Sequence, residues 1–141
     1  MDSDSKRLPL AKTCTDAELA QKRLKSHQRM TELEHHLLIC MGKCCLKRGA
    51  DKIYERLKHE QQTRNWGDRL RINSTGECMG RCGDHCPIAI YPEGTWYMKN
   101  TVETALFLAE HLVSEAEADD RLQISYTFKE GQFRRSPSYP L

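Results

Sequence analysis

Residues 76–87 read GECMGRCGDHCP, from Gly76 to Pro87, with Cys78, Cys82 and Cys86 set among three glycines. A second cysteine knot lies upstream at residues 39–45, ICMGKCC, which holds Cys40, Cys44 and Cys45. Cys40 and Cys45 frame a C-x4-C spacing, and Cys78 and Cys82 a C-x3-C spacing. Thiolates gathered at one place repel each other unless a cation cancels their charge. Glycine lets backbone N–H groups close in on sulfur. Two separated loops of this kind predict a soft-metal site. By spacing alone, a tetrahedral zinc ion and a 2Fe–2S cluster held by two pairs of thiolates fit equally well.

Regular structure is expected on both sides of these loops. His35 to Cys40 is a short apolar run ending at Met41-Gly42, and it reads as a buried strand. His35 and His36 are adjacent, so they point to opposite faces of that strand and do not share a metal. Gly49 to Arg64 places Ile53 and Leu57 on one helical face. Arg69 to Asn73 alternates and predicts a second strand. Pro87 to Tyr91 and Thr95 to Met98 flank a Pro92-Glu93-Gly94 turn and predict a hairpin. Asn100, with Glu103 three residues on, is expected to cap a helix whose stripe is Val102, Ala105, Leu106, Ala109, Leu112 and Val113. Trp96-Tyr97 is expected to pack under the cysteine loop or at a subunit contact.

Upstream, Thr15-Asp16-Ala17-Glu18 has the form of a capping box and opens a helix running to about Glu34, with a sparse apolar face. Met1 to Cys14 reads as a tail, with Cys14 incidental. Arg121 to Phe128 alternates, as an added edge strand or a partner-contacting arm. Arg134 to Leu141 carries two prolines and is expected to be disordered. The fold class is α/β, a small mixed sheet with two flanking helices and an extra N-terminal helix. We expect an arm over residues 1–33, a domain over 34–115 and an extension over 116–141.

The chain has 141 residues, a net charge of +2 and seven cysteines. So small a charge does not argue for nucleic acid. No stretch is apolar enough to read as a signal peptide or a membrane span. The expected compartment is the reducing cytoplasm, where clustered cysteines serve metals or redox chemistry. Lys43, Lys47, Arg48 and Arg81 lie in or beside the cysteine loops, where their positive field would favour a more negative, reduced centre. GxGxxG and Walker patterns are absent, so no nicotinamide or flavin site is expected. No C-x-x-C opens the first helix of the domain, which disfavours thiol–disulfide catalysis.

ICMGKCCLKRGA, then STGECMGRCGDHCPIAIYPEGTWY, then a capped amphipathic helix resembles the thioredoxin-like 2Fe–2S ferredoxins. These in turn are similar to the small cluster-bearing subunit of respiratory NADH dehydrogenase. The resemblance covers Glu34 to Glu115. It implies a thioredoxin-like fold, a 2Fe–2S cluster, single-electron transfer between redox partner proteins, a homodimer and no catalysis of its own. It implies Cys40, Cys45, Cys78 and Cys82 as ligands, Cys45 being the cysteine four residues before the glycine of Arg48-Gly49. Cys44 competes with Cys45, since adjacent cysteines of an extended segment point opposite ways and only one ligates. Cys86 matches relatives whose loop reads C-x3-C-x3-C, as a small buried residue or an exchangeable ligand. Some relatives with this pattern are linked to cobalamin biosynthesis. The alternative functions are a structural zinc or Fe–S module and a redox sensor acting through protein contacts.

Overall fold

The structure is a computed structural model that describes residues 15–114, 117 and 120–141. The expected tail and Cys14 lie outside the described residues. The chain forms two compact units, Met1–Glu32 and Leu33–Leu141.

In the first unit, helix α1 spans Asp16–Glu32. Its start is set by the capping box: Glu18 N–H donates to Thr15 Oγ1 at 3.2 Å, and the Thr15 hydroxyl donates to the Glu18 carboxylate at 2.9 Å. None of its residues is buried, as its sparse apolar face predicts.

The second unit is built on a six-stranded sheet. Its strands are β1 (His35–Ile39), β2 (Leu70–Ser74), β3 (Ile88–Tyr91), β4 (Thr95–Met98), β5 (Gln123–Lys129) and β6 (Gln132–Arg135). The order across the sheet is β2-β1-β3-β4-β5-β6. β1 and β2 run parallel, joined through the helical segment between them, and every other pair is antiparallel. Register follows the buried face. Leu37 pairs with Ile72 on one side and Ile90 on the other, and Ile39 pairs with Ile88. A slip of one residue would turn this aliphatic row to the opposite face.

Three helices complete the unit: the short α2 (Lys43–Lys47), α3 (Ala50–Thr63) and α4 (Val102–Ser114). Ile53 and Leu57 of α3 and Ala105, Leu108 and Ala109 of α4 join the sheet residues in one core. Tyr97 belongs to that core, while Trp96 points to the other face and meets Phe133 edge-on at 6.3 Å. His36 Nε2 lies 2.7 Å from Asn73 Oδ1, and His35 faces Glu93, so the two rings take different partners.

Four expectations need correction. Asn100 does not cap α4. Its amide donates to the carbonyls of Cys86 and Tyr97, and Thr101 and Thr104 instead satisfy each other's backbone N–H groups. The segment carrying Cys44 and Cys45 is helical rather than extended. The C-terminal residues are ordered: β6 covers Gln132–Arg135, and the Tyr139 side chain is hydrogen-bonded to the cysteine loop. The alternating segment forms β5, an inner strand rather than an edge, because β6 pairs along it. Gly94 makes this docking possible. Its φ is +72°, and a Cβ there would lie 2.6 Å from Phe128 Cβ.

Candidate metal centre

Both cysteine loops leave the same end of the sheet. Cys40 follows β1, and its N–H donates to Pro87 O across to the start of β3. Gly42 then opens α2, which carries Cys44 and Cys45. The second loop follows β2 and returns through a short 3-10 turn over Cys82–Asp84 to β3. Thr75 ties the loops together: its backbone N–H donates to Ile39 O, and its hydroxyl oxygen accepts from Met41 N–H.

Gly42 sets how closely the loops approach. A Cβ at this position would stand 2.9 Å from both Cα and Cβ of Cys78. Those atoms belong to backbone and a side-chain root, which cannot swing aside. A side chain at residue 42 would therefore push the two cysteine loops apart.

The thiols form a connected run. Cys45 Sγ lies against Cys40, Cys40 against Cys78, and Cys78 Sγ lies 3.1 Å from Cys82 Sγ. Cys44 in turn lies against Cys82. Backbone amides serve the sulfurs: Met79 N–H points at Cys40 Sγ from 3.4 Å and Gly80 N–H at Cys78 Sγ from 3.3 Å. Cys40 and Cys45 are buried, whereas Cys44, Cys78 and Cys82 are exposed. Among the described residues no three His, Cys, Asp or Glu side chains are arranged around a single metal ion. The sulfurs are strung between two loops instead.

Their proton affinities show the strain of this crowding. Hydrogen bonds from the Cys82 thiol and Gly80 N–H lower the Cys78 pKa below its ordinary value. Cys82 is pushed up to about 11 by its hydrogen bond to Cys78 and by that neighbour's charge. Cys45 is pushed up to about 12, first by burial and then by the hydrogen bond and charge of Cys40. Without a cation, Cys78 gives up its proton most readily while Cys45 and Cys82 keep theirs; a metal centre supplies the positive charge that lets them ionise together. The donor set, the inward amides and the close approach of the loops that Gly42 permits fit an iron–sulfur group.

Cys86 lies beneath the centre. It is buried, and its thiol points at the carbonyls of Cys45 and Arg48, at 3.7 and 3.9 Å. Burial raises its pKa. Arg81, expected to lend the site positive field, is instead engaged by Asp84, Tyr126 and Tyr139. The sequence carried no signal for that contact, because Tyr139 lies 58 positions away.

No family model matches the chain. A Priestia megaterium protein assigned as a 2Fe-2S ferredoxin is 32% identical over 98 residues, covering 68% of this chain and 75% of the relative. A Clostridium pasteurianum protein named "Ferredoxin, 2Fe-2S" is 29% identical over 103 residues, covering 67% of this chain and 100% of the relative. A thioredoxin-like [2Fe-2S] ferredoxin structure from Aquifex aeolicus superposes with a TM-score of 0.60 at 22% identity, over 69% of this chain and 94% of that one. That likeness is one of fold. Sequence relationship over two thirds of the chain and the common fold lead to one conclusion: the chain belongs to the thioredoxin-like 2Fe–2S ferredoxin family.

Proposed function

We infer that this protein is a single-electron carrier that holds a 2Fe–2S cluster between its two cysteine loops and exchanges electrons with redox partner proteins. When bound, the cluster supplies a centre that takes up and releases one electron. The observation that carries the reading is the run of sulfurs from Cys45 through Cys40 and Cys78 to Cys82, assembled by two loops that Gly42 allows to close.

We assign the ligands as Cys40, Cys45, Cys78 and Cys82. Supporting this are two thiol pairs, Cys40 with Cys45 on the buried side and Cys78 with Cys82 on the exposed side. The Met79 and Gly80 N–H groups hold negative charge on the sulfurs. Cys86 packs under the α2 turn and keeps Cys45 in place. The contact between Cys44 and Cys82 favours one rival, in which Cys44 ligates in place of Cys45.

The protein turns over no substrate of its own in this reading. It works in the cytoplasm as a homodimer, the form implied by the resemblance. Among the described residues, no helix is long and apolar enough to cross a membrane. The test is oxygen-free purification with iron, sulfide and zinc analysis. Two irons and two inorganic sulfides per chain, with visible charge-transfer absorption, are expected. Colourless protein with one zinc would overturn the reading. Cys45→Ser should bleach the protein while Cys44→Ser stays coloured; the reverse would move the ligand to Cys44. Light scattering of the loaded protein tests the dimer.

A further inference from the structure

Beside the exposed cysteines lies a basic surface that the fold leaves unneutralised. Lys43 and Lys47 sit one helical turn apart on α2, with the 43% exposed Leu46 between them in sequence. Arg48 follows, and it lines a cavity of about 330 Å³ together with His85, Lys99 and the residues leading into α4. Lys43, Lys47, Arg48 and Lys99 are all exposed. Among the described residues none of the four is in an ion pair. The carboxylates of Glu34, Glu60, Glu103 and Glu110, in contrast, are matched to arginines elsewhere on the unit. The acids nearest in sequence are Asp51, three residues past Arg48, Glu103, four past Lys99, and Asp84, beside His85; Glu103 and Asp84 are paired with Arg121 and Arg81, so a net positive charge remains on this face.

We propose that this face is the electron-exit surface and that its partner is a redox protein presenting a carboxylate-rich patch around its own centre. The proposal rests on the single-electron reading. Three observations combine in it. The exposed thiols of Cys44, Cys78 and Cys82 bring the centre to the surface at this end of the sheet. The cations border that opening without internal partners, so a carboxylate surface docking there replaces water rather than breaking ion pairs. Leu46 supplies an apolar contact within a polar rim, as suits the small interfaces of electron-transfer complexes. The cavity between Arg48, His85 and Lys99 takes one of the partner's carboxylates.

The experiment uses the loaded full chain, its cluster content read from visible absorbance before mixing. The dithionite-reduced protein is mixed by stopped flow with oxidised plastocyanin, an acidic copper protein, or with oxidised cytochrome c, a basic haem protein. One electron leaves the reduced chain, and one copper(II) or haem iron(III) is reduced. Steering by opposite charge predicts a plastocyanin rate that falls with added salt. Lys43→Glu/Lys47→Glu and Arg48→Glu/Lys99→Glu should each slow plastocyanin reduction by about tenfold at low salt and quicken cytochrome c reduction. The control is Lys129→Glu, whose residue ends β5 near Gly94, at the opposite end of the sheet from the cysteines; it should leave both rates within twofold. A plastocyanin rate that is insensitive to the α2 and Arg48/Lys99 reversals, or that rises with salt, overturns the proposal. So does loss of the plastocyanin preference when phosphate replaces chloride at constant ionic strength, which would make the cavity a site for free anions. A colourless preparation would sink the electron-carrier reading instead, and is recognised before any rate is measured.

Discussion

Replacing Arg81 with Met should loosen the ligand loop. Arg81 stands between Cys78 and Cys82, yet its guanidinium turns away toward the C-terminal strands. Nε donates to Asp84 Oδ2 at 3.0 Å, and Nη2 donates to the hydroxyls of Tyr126 at 3.1 Å and Tyr139 at 2.6 Å. The Tyr139 hydroxyl in turn donates to Asp84 Oδ1, which closes a ring of three side chains. The guanidinium also lies 4.6 Å from the Tyr126 ring centroid. Asp84 is 2% exposed, so removing its cation strands a buried carboxylate. Breaking a fully buried pair costs about 3–5 kcal/mol. The Arg81 side chain is 33% exposed and Tyr139 stays on Asp84, so we discount the loss to about 2 kcal/mol. If the cluster is lost through opening of this loop, about 2 kcal/mol converts to roughly thirtyfold faster bleaching by an iron chelator without oxygen. Asp84→Asn and the double variant complete a cycle, and coupling of about 1–2 kcal/mol is expected. An Arg81→Met protein that bleaches within twofold of the parent, with rate effects that simply multiply in the double variant, would refute the reasoning.

Other outcomes follow from the same geometry. Gly42→Ala should purify with less iron and sulfide, and lose it faster, because its methyl meets Cys78 Cα and Cβ at 2.9 Å; elemental analysis of matched preparations decides. Cys86→Ala should keep a full complement of iron and the parent spectrum, since the thiol faces backbone carbonyls in the core; bleaching would make Cys86 a ligand. Cys45 and Cys82 titrate near 12 and 11 in the metal-free fold, against an ordinary 9.0. As pH rises past about 9 the unfolded chain gives up these protons first. The metal-free fold should therefore be stable below that pH and lose stability progressively above it. The loaded protein, its sulfurs already ionised, should not; thermal unfolding of both forms at neutral and alkaline pH checks the contrast.

Much of the fold was legible in local pattern. Alternation marked β2 and β5, because side chains of a strand point to opposite faces every second residue, while a short apolar run marked β1 and the Pro92-Glu93-Gly94 turn marked the hairpin of β3 and β4. The stripe of α4 and the Thr15 box marked their helices for equally local reasons. The two cysteine groups could be read as one site because thiols so numerous and so spaced have little other use in a reducing compartment. The five residues of α2 are too few to show a helical period, so the sequence alone does not tell the turn carrying Cys44 and Cys45 from extended chain. Asn100 has the composition of a cap, yet a tertiary demand from the carbonyls of Cys86 and Tyr97 claims its amide.

By itself, then, the amino-acid order determined which segments could become strands and helices and which side chains could bind iron, since both depend on neighbours a few positions away. The tertiary structure decided how near the cysteine loops come, that Arg81 serves Asp84 rather than the sulfurs, and that the proline-bearing C-terminus is ordered. Those outcomes rest on contacts between residues that chain folding alone brings together: Gly42 with Cys78, Met79 with Cys40, and Tyr139 with Arg81. A local pattern carries no record of such distant partners, and their burial determines which interactions hold.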